Sequence, residues 1–148
     1  MTNPKLPPNI REFNEITGVI FGQLYAAFPA LQDIDADGVA KALGHSLGDR
    51  MESGRTFGEV LAYTVGWLAS EEFIHPYGAH PRQRVVLTAK ALAAMNAVPE
   101  KLGRPLGSEI AEAAREGSSD AGKNKLAELV GTLLGSFTGS AVKSIGGG

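Results

Sequence analysis

Thr56-Phe57-Gly58-Glu59-Val60-Leu61-Ala62-Tyr63-Thr64-Val65-Gly66-Trp67-Leu68 is the stretch whose reading decides the fold class. Thr56 and Glu59 stand three apart, the spacing of a capping box, in which hydroxyl and carboxylate each satisfy a backbone N–H that an opening helix leaves free. The residues that follow put Phe57, Val60, Leu61, Thr64, Val65 and Leu68 on one face, the three- and four-residue steps of an amphipathic helix. This helix is expected to end near Glu72. Glu59, Ala62, Tyr63, Gly66, Trp67 and Ser70 fall beside or opposite the apolar stripe.

Downstream, Phe73-Ile74-His75 has the length and composition of a short strand, and Arg84-Val85-Val86-Leu87 of a returning one. The turn-rich Pro76-Tyr77-Gly78-Ala79-His80-Pro81 lies between them. Thr88 then caps a helix from Ala89 to about Ala97, with Leu92 and Met95 inward. Upstream, Ile10, Phe13, Ile16, Ile20, Leu24 and Phe28 recur at helical spacing after Pro7-Pro8. Asn9 with Glu12 reads as the cap of this first helix, and Pro29 as its stop. Asp35 or Asp37 caps a shorter second helix carrying Val39, Ala40 and Leu43.

After Pro99 the composition shifts toward Gly, Ser, Ala and charge, with a short helix expected around Ser108 to Arg115. A last apolar helix is expected from about Lys123 to Ile145. The chain thus divides into an extended lead-in (1–9), a core (10–98), a linker with a short helix (99–122) and a C-terminal helix with a frayed tail (123–148).

Three helices, a two-stranded wing and a following helix, in that order, resemble a winged helix-turn-helix domain over roughly residues 10–98. Val65-Gly66-Trp67-Leu68-Ala69-Ser70-Glu71-Glu72-Phe73-Ile74 looks like the exit of a recognition helix in such families. Arg84-Val85-Val86-Leu87-Thr88-Ala89-Lys90-Ala91-Leu92 is similar to the second wing strand and next helix of MarR- and PadR-like regulators, with Ala91 where those carry glycine. The fold expected is therefore mainly α, a winged-helix-like core plus a C-terminal helical appendage. The resemblance implies a third helix that enters the DNA major groove and a wing that meets the backbone.

The residues divide on that implication. The outer face of the third helix, Glu59, Tyr63, Gly66, Trp67 and Ser70, has no cation, and phosphate attraction dominates DNA affinity. The wing is acid-free from Phe73 to Val98, and Arg82, Arg84 and Lys90, with Arg50 and Arg55 on the preceding loop, form a candidate nucleic-acid patch. Tyr63 and Trp67, four apart, anchor a protein interface if exposed, and are plain core if the first helix or the appendage covers them. The favoured reading is a non-catalytic protein-interaction or regulatory module. The alternative is a DNA-binding transcriptional regulator.

Composition removes other classes. The chain has no cysteine, so disulfides and thiolate metal sites are excluded, and a reducing, cytoplasmic setting is expected. A net charge of −2 supplies no global pull toward nucleic acid or anionic lipid. The N-terminal residues lack the apolar run of a signal peptide. Asp33-Ile34-Asp35-Ala36-Asp37-Gly38 opens like a calcium loop, but the twelfth position is Gly44, where a bidentate carboxylate is needed. His45, His75 and His80 have no metal-ligand spacing, and no serine sits in a nucleophile elbow, so no catalytic residue, metal or cofactor is expected. Gly131, Gly135 and Gly139 repeat every fourth residue along the last helix, a stripe suited to packing on the core or on a second copy in a homodimer. A membrane-associated role would rest on the nearly uncharged run Leu129–Val142, about 14 residues and too short to span.

Overall fold

The computed structural model describes the backbone of residues 6–146 and the side chains of residues 6–137. The first helix, α1 (Pro8–Ala27), opens one residue before the expected cap. Pro8 stands in its first turn, where a missing N–H costs nothing, so Asn9 lies inside the helix and caps nothing. Glu12 turns inward, 2% exposed. The chain leaves at Phe28, whose ψ of 135° is the extended geometry that Pro29 imposes. Between these ends every residue from Asn14 to Gly22 is buried, so the middle of α1 is the centre of the molecule while its ends reach the surface.

Around it lie α2 (Ala36–Ala42), α3 (Phe57–Ser70), a hairpin of β1 (Ile74–Pro76) and β2 (Val85–Leu87), α4 (Ala89–Asn96), α5 (Leu106–Arg115) and α6 (Asp120–Gly146). The fold described is mainly helical with one small antiparallel sheet. The capping box of α3 is present in full, with Glu59 N–H donating to Thr56 Oγ1 and Thr56 N–H to the Glu59 carboxylate. Helix α3 stops at Ser70 because Glu72 adopts a left-handed φ of 61°. Its N–H reaches the Ala69 carbonyl, and that of Phe73 the Leu68 carbonyl, closing the helix as a Schellman motif. Phe73 therefore belongs to the helix exit, and the strand begins at Ile74. Arg84 likewise has φ 51°, so the returning strand begins at Val85.

The strands pair with Ile74 opposite Leu87 and Pro76 opposite Val85. Val85 also exchanges both backbone bonds with Gln32, at 2.8 and 2.9 Å, which ties the hairpin to the loop between α1 and α2. Thr88 caps α4 by accepting from Ala91 N–H at 3.3 Å. Met95 and Ala91 are fully buried, and Leu92 half-buried.

The C-terminal helices share this core. Leu106, Ile110 and Ala113 of α5 and Leu126, Leu129 and Leu133 of α6 join the cluster that holds Ile16, Ile20, Phe57 and Leu68. Asn14 Nδ2 donates to the Ala127 carbonyl at 3.3 Å and fixes α1 against α6. Two glycines of α1 permit this approach, together with Gly107 of α5, where a Cβ would stand 2.8 Å from the Tyr25 ring. A Cβ at Gly18 would stand 2.6 Å from Leu126 Cδ2, and one at Gly22 would stand 3.1 Å from the Ala111 Cα. Gly131 and Gly135 of α6, the first two of the expected stripe, have no such role among the described residues, whereas Gly122 at the start of α6 lies tightly against the Glu116 carbonyl. Gly131 and Gly135 are exposed, and a Cβ at Gly135 would meet nothing within 4 Å. Gly139 lies outside the residues whose side chains are described, and residues 147–148 of the tail expected to fray, with residues 1–5 of the lead-in, lie outside the described residues altogether.

Two substitutions separate these glycines. Gly22→Val, which forces a branched side chain against the α5 backbone, lowers stability by about 2–3 kcal/mol. Gly135→Ala raises it by about 1 kcal/mol, the helix-propensity difference at an open position. Urea unfolding of the two variants measures both.

Candidate functional site

The exposed side of α3 is set by its own buried side. Phe57, Leu61, Val65 and Leu68 face the core, which leaves Glu59, Ala62, Tyr63, Gly66, Trp67 and Ser70 exposed. Tyr63 is 65% exposed and Trp67 43%. The first helix covers only part of Trp67: Phe13 meets the indole edge-on, with centroids 5.2 Å apart, and Phe73 stacks on it at 5.8 Å. Phe73 in turn meets Phe137 of α6 at 5.2 Å. The row Phe13–Trp67–Phe73–Phe137 therefore joins α1, α3 and α6, and holds Trp67 in place with its outer part free.

Beside this row, α1 and α3 enclose a groove of about 850 Å³. Its apolar walls are Ile10 and Phe13 from α1 and Val60, Tyr63 and Trp67 from α3. Ile10 is 41% exposed, unusual for an isoleucine at the end of an otherwise buried stripe. Arg55, on the loop before α3, lays its guanidinium 5.2 Å over the Tyr63 ring. Glu12, the other charged residue in the lining, is fully engaged: Ser53 donates to it through N–H at 3.0 Å and through Oγ at 2.5 Å.

The five cations expected to form one patch are not together. Arg50 and Arg55 lie at the N-terminal end of α3, and Arg50 donates to the Gly54 carbonyl. Lys90 lies at the other end, about 20 Å away along a 14-residue helix. It donates to the Glu71 carbonyl at 2.6 Å and sits 4.5 Å over the Phe73 ring. Arg82 donates to the Ile34 carbonyl at 3.0 Å, and the Arg84 backbone N–H donates to Asp33 at 2.8 Å. The Arg82 guanidinium thus faces the acidic loop before α2, and Asp33 anchors the hairpin through the Arg84 backbone.

A second cleft, of about 740 Å³, opens on the other side of the first half of α1. Arg11, Glu15, Glu52, Asp120 and Lys123 line it together with His45. Arg11 bonds Glu52 and lies 3.6 Å from Glu15, and His45 lies 3.3 Å from Asp49. Burial pushes the Glu15 carboxyl above its ordinary range, against the opposing pull of Arg11 and Lys123. The Asp49 carboxyl is held below its usual range by the Ser46 N–H and by His45. Arg11 with Glu15 and Glu52, and His45 with Asp49, thus form ion pairs along the cleft, which has the character of a solvated charged surface. Among the described residues, no three His, Cys, Asp or Glu side chains are grouped so as to hold a metal.

The buried pair Glu12 and Glu15 escaped the sequence reading, which assigned Glu12 to a cap. The available signal was Glu15 directly before the mostly apolar segment Ile16 to Phe21, where a carboxylate needs a partner from elsewhere. Glu15→Gln raises the melting temperature at pH 7. A carboxyl whose pKa is higher folded than unfolded favours the native state only when protonated, so its contribution is lost as pH rises through the folded pKa. The gain from the glutamine therefore vanishes below about pH 4, as thermal scans across pH will measure.

No family model, curated protein or solved structure matches this chain.

Proposed function

We propose that this chain is a non-catalytic protein-interaction module on a winged-helix-like scaffold, and that it docks its partner on the groove between α1 and α3. One observation carries the reading. Ile10, Tyr63 and Trp67, three large apolar side chains from two helices, stay exposed around one groove while their neighbours fill the core. Clustered exposed aromatics with a rigid backing make interface anchors, because they bury much area and lose little side-chain freedom.

The order of elements supports the scaffold. Three helices, a hairpin paired to the loop between the first two, and a following helix are what a winged-helix domain requires. The same order would suit a DNA-binding regulator, but the charge distribution does not favour one. The exposed side of α3 has Glu59 and ends in Glu71 and Glu72, and Arg82 and Lys90 are engaged with backbone carbonyls. A membrane role has less support still, since no helix among the described residues is long and apolar enough to cross a bilayer.

Trp67 is the single tryptophan of the chain, so intrinsic fluorescence reads this face directly. Cross-linking in an extract of the native cells, followed by isolation of the adduct, is expected to retain a discrete partner. Tyr63→Ala with Ile10→Ser should weaken that contact at least about 30-fold, the scale of a lost hot spot, while circular dichroism stays unchanged. Genomic DNA fragments should leave Trp67 emission and gel mobility unaltered at low salt. Selective, salt-sensitive DNA binding that disappears in Arg82→Ala, Arg84→Ala would instead make the protein a regulator.

A further inference from the structure

We infer that the occupant of the α1–α3 groove is an amphipathic helix that brings a carboxylate to Arg55. This rests on the interaction reading above and names the partner's chemistry. The helical form follows from what the walls lack. Both sides of the groove are helices whose backbone groups are already bonded within themselves, so no strand edge is offered there. An extended peptide would leave its own N–H and C=O groups facing Ile10, Phe13 and Trp67 with no partners, at the cost of each bond not made. A helix satisfies its backbone internally and presents only side chains.

The length and spacing of the anchors follow from the walls. The α3 lining runs from Val60 to Trp67, about 10 Å along the axis, or two helical turns. Tyr63 and Trp67 stand one turn apart, as do Ile10 and Phe13 within three residues. Two apolar side chains of the partner, at i and i+4, fill the space between these ridges.

The sign of the charge follows from how the groove's own charges are engaged. Both oxygens of Glu12 accept from Ser53, and the Glu59 carboxylate closes the α3 cap. Glu52 is bonded to Arg11. Arg55 is the one cation of the lining, and among the described residues no carboxylate lies within ion-pair distance of it. Its contact is the Tyr63 ring, which fixes the guanidinium at the rim with its donors available. An acid on the partner, one turn beyond the second apolar anchor, completes the site.

Two model peptides of about 15 residues, long enough for marginal helicity, test this. Both carry leucine at i and i+4 on an alanine-rich helix, and they differ only in Glu or Lys one turn beyond. Binding is read from Trp67 emission at low and moderate salt. The Glu peptide is expected to bind about 10-fold more tightly than the Lys peptide, a difference that shrinks with salt. Arg55→Gln should abolish the preference and Arg55→Glu reverse it. Equal binding of the two peptides, a preference unchanged in Arg55→Glu, or no response of Trp67 to either peptide overturns the proposal. So does a Trp67 signal that changes on simple dilution, with a dimer seen by sedimentation, since the occupant is then a second copy. If the peptides fail while the Tyr63- and Ile10-dependent partner persists, the interaction face stands with a partner of different chemistry. If both are lost, the face itself is refuted.

Discussion

Helix α1 is packed on nearly every side, and the positions of the other elements depend on how closely they can approach it. Gly18 and Gly22 set that distance: one faces Leu126 of α6 and the other the backbone of α5. Without a Cβ at either site, the C-terminal helices lie directly on the α1 backbone and bury Leu126, Leu133 and Ile110 completely. Dense packing of this kind rewards every methylene in place and penalises each one added. The C-terminal third is therefore a wall of the same core that α3 and the hairpin enclose from the other side.

That enclosure explains why the α1–α3 groove exists. With α5 and α6 taking one side of α1, the N-terminal half of α1 meets α3 through Phe13 and Trp67 and leaves Ile10 and Tyr63 at the rim. The aromatic row from Phe13 to Phe137 holds Trp67 against three helices. An anchor fixed in this way loses little freedom when a partner covers it. The stability of the core and the readiness of the surface thus have one origin.

The charged residues show a complementary economy. Most cations of the hairpin and of α4 end on backbone carbonyls or aromatic faces, where they secure loops. The carboxylates around the first half of α1 end on Ser53, Arg11 and the α3 cap. Arg55 stands apart from this pattern, which is why the charge of the groove, small as it is, has a direction.

The sequence by itself determined whatever is decided within a few residues of chain. The Thr56–Glu59 box, the Thr88 cap, the Pro29 stop and the turn between the strands are local chemistry, and helical periodicity set Tyr63 and Trp67 beside the apolar stripe while leaving open whether another element covers them. It also indicated a mainly helical chain, because periodicity of three and four runs through most of it. Tertiary structure alone decided which face of α6 is buried, that Gly18 and Gly22 of α1 make close approaches that Gly131 and Gly135 of α6 do not, and that Glu12 caps Ser53 and not its own helix. It also set Arg50 and Arg55 at the opposite end of α3 from Lys90. The physical reason is that a cap or a turn is bonded within a few residues, whereas burial, ion pairing and close approach are settled by segments far apart in the chain, such as Asn14 and Ala127 at a separation of 113, whose meeting no local pattern records.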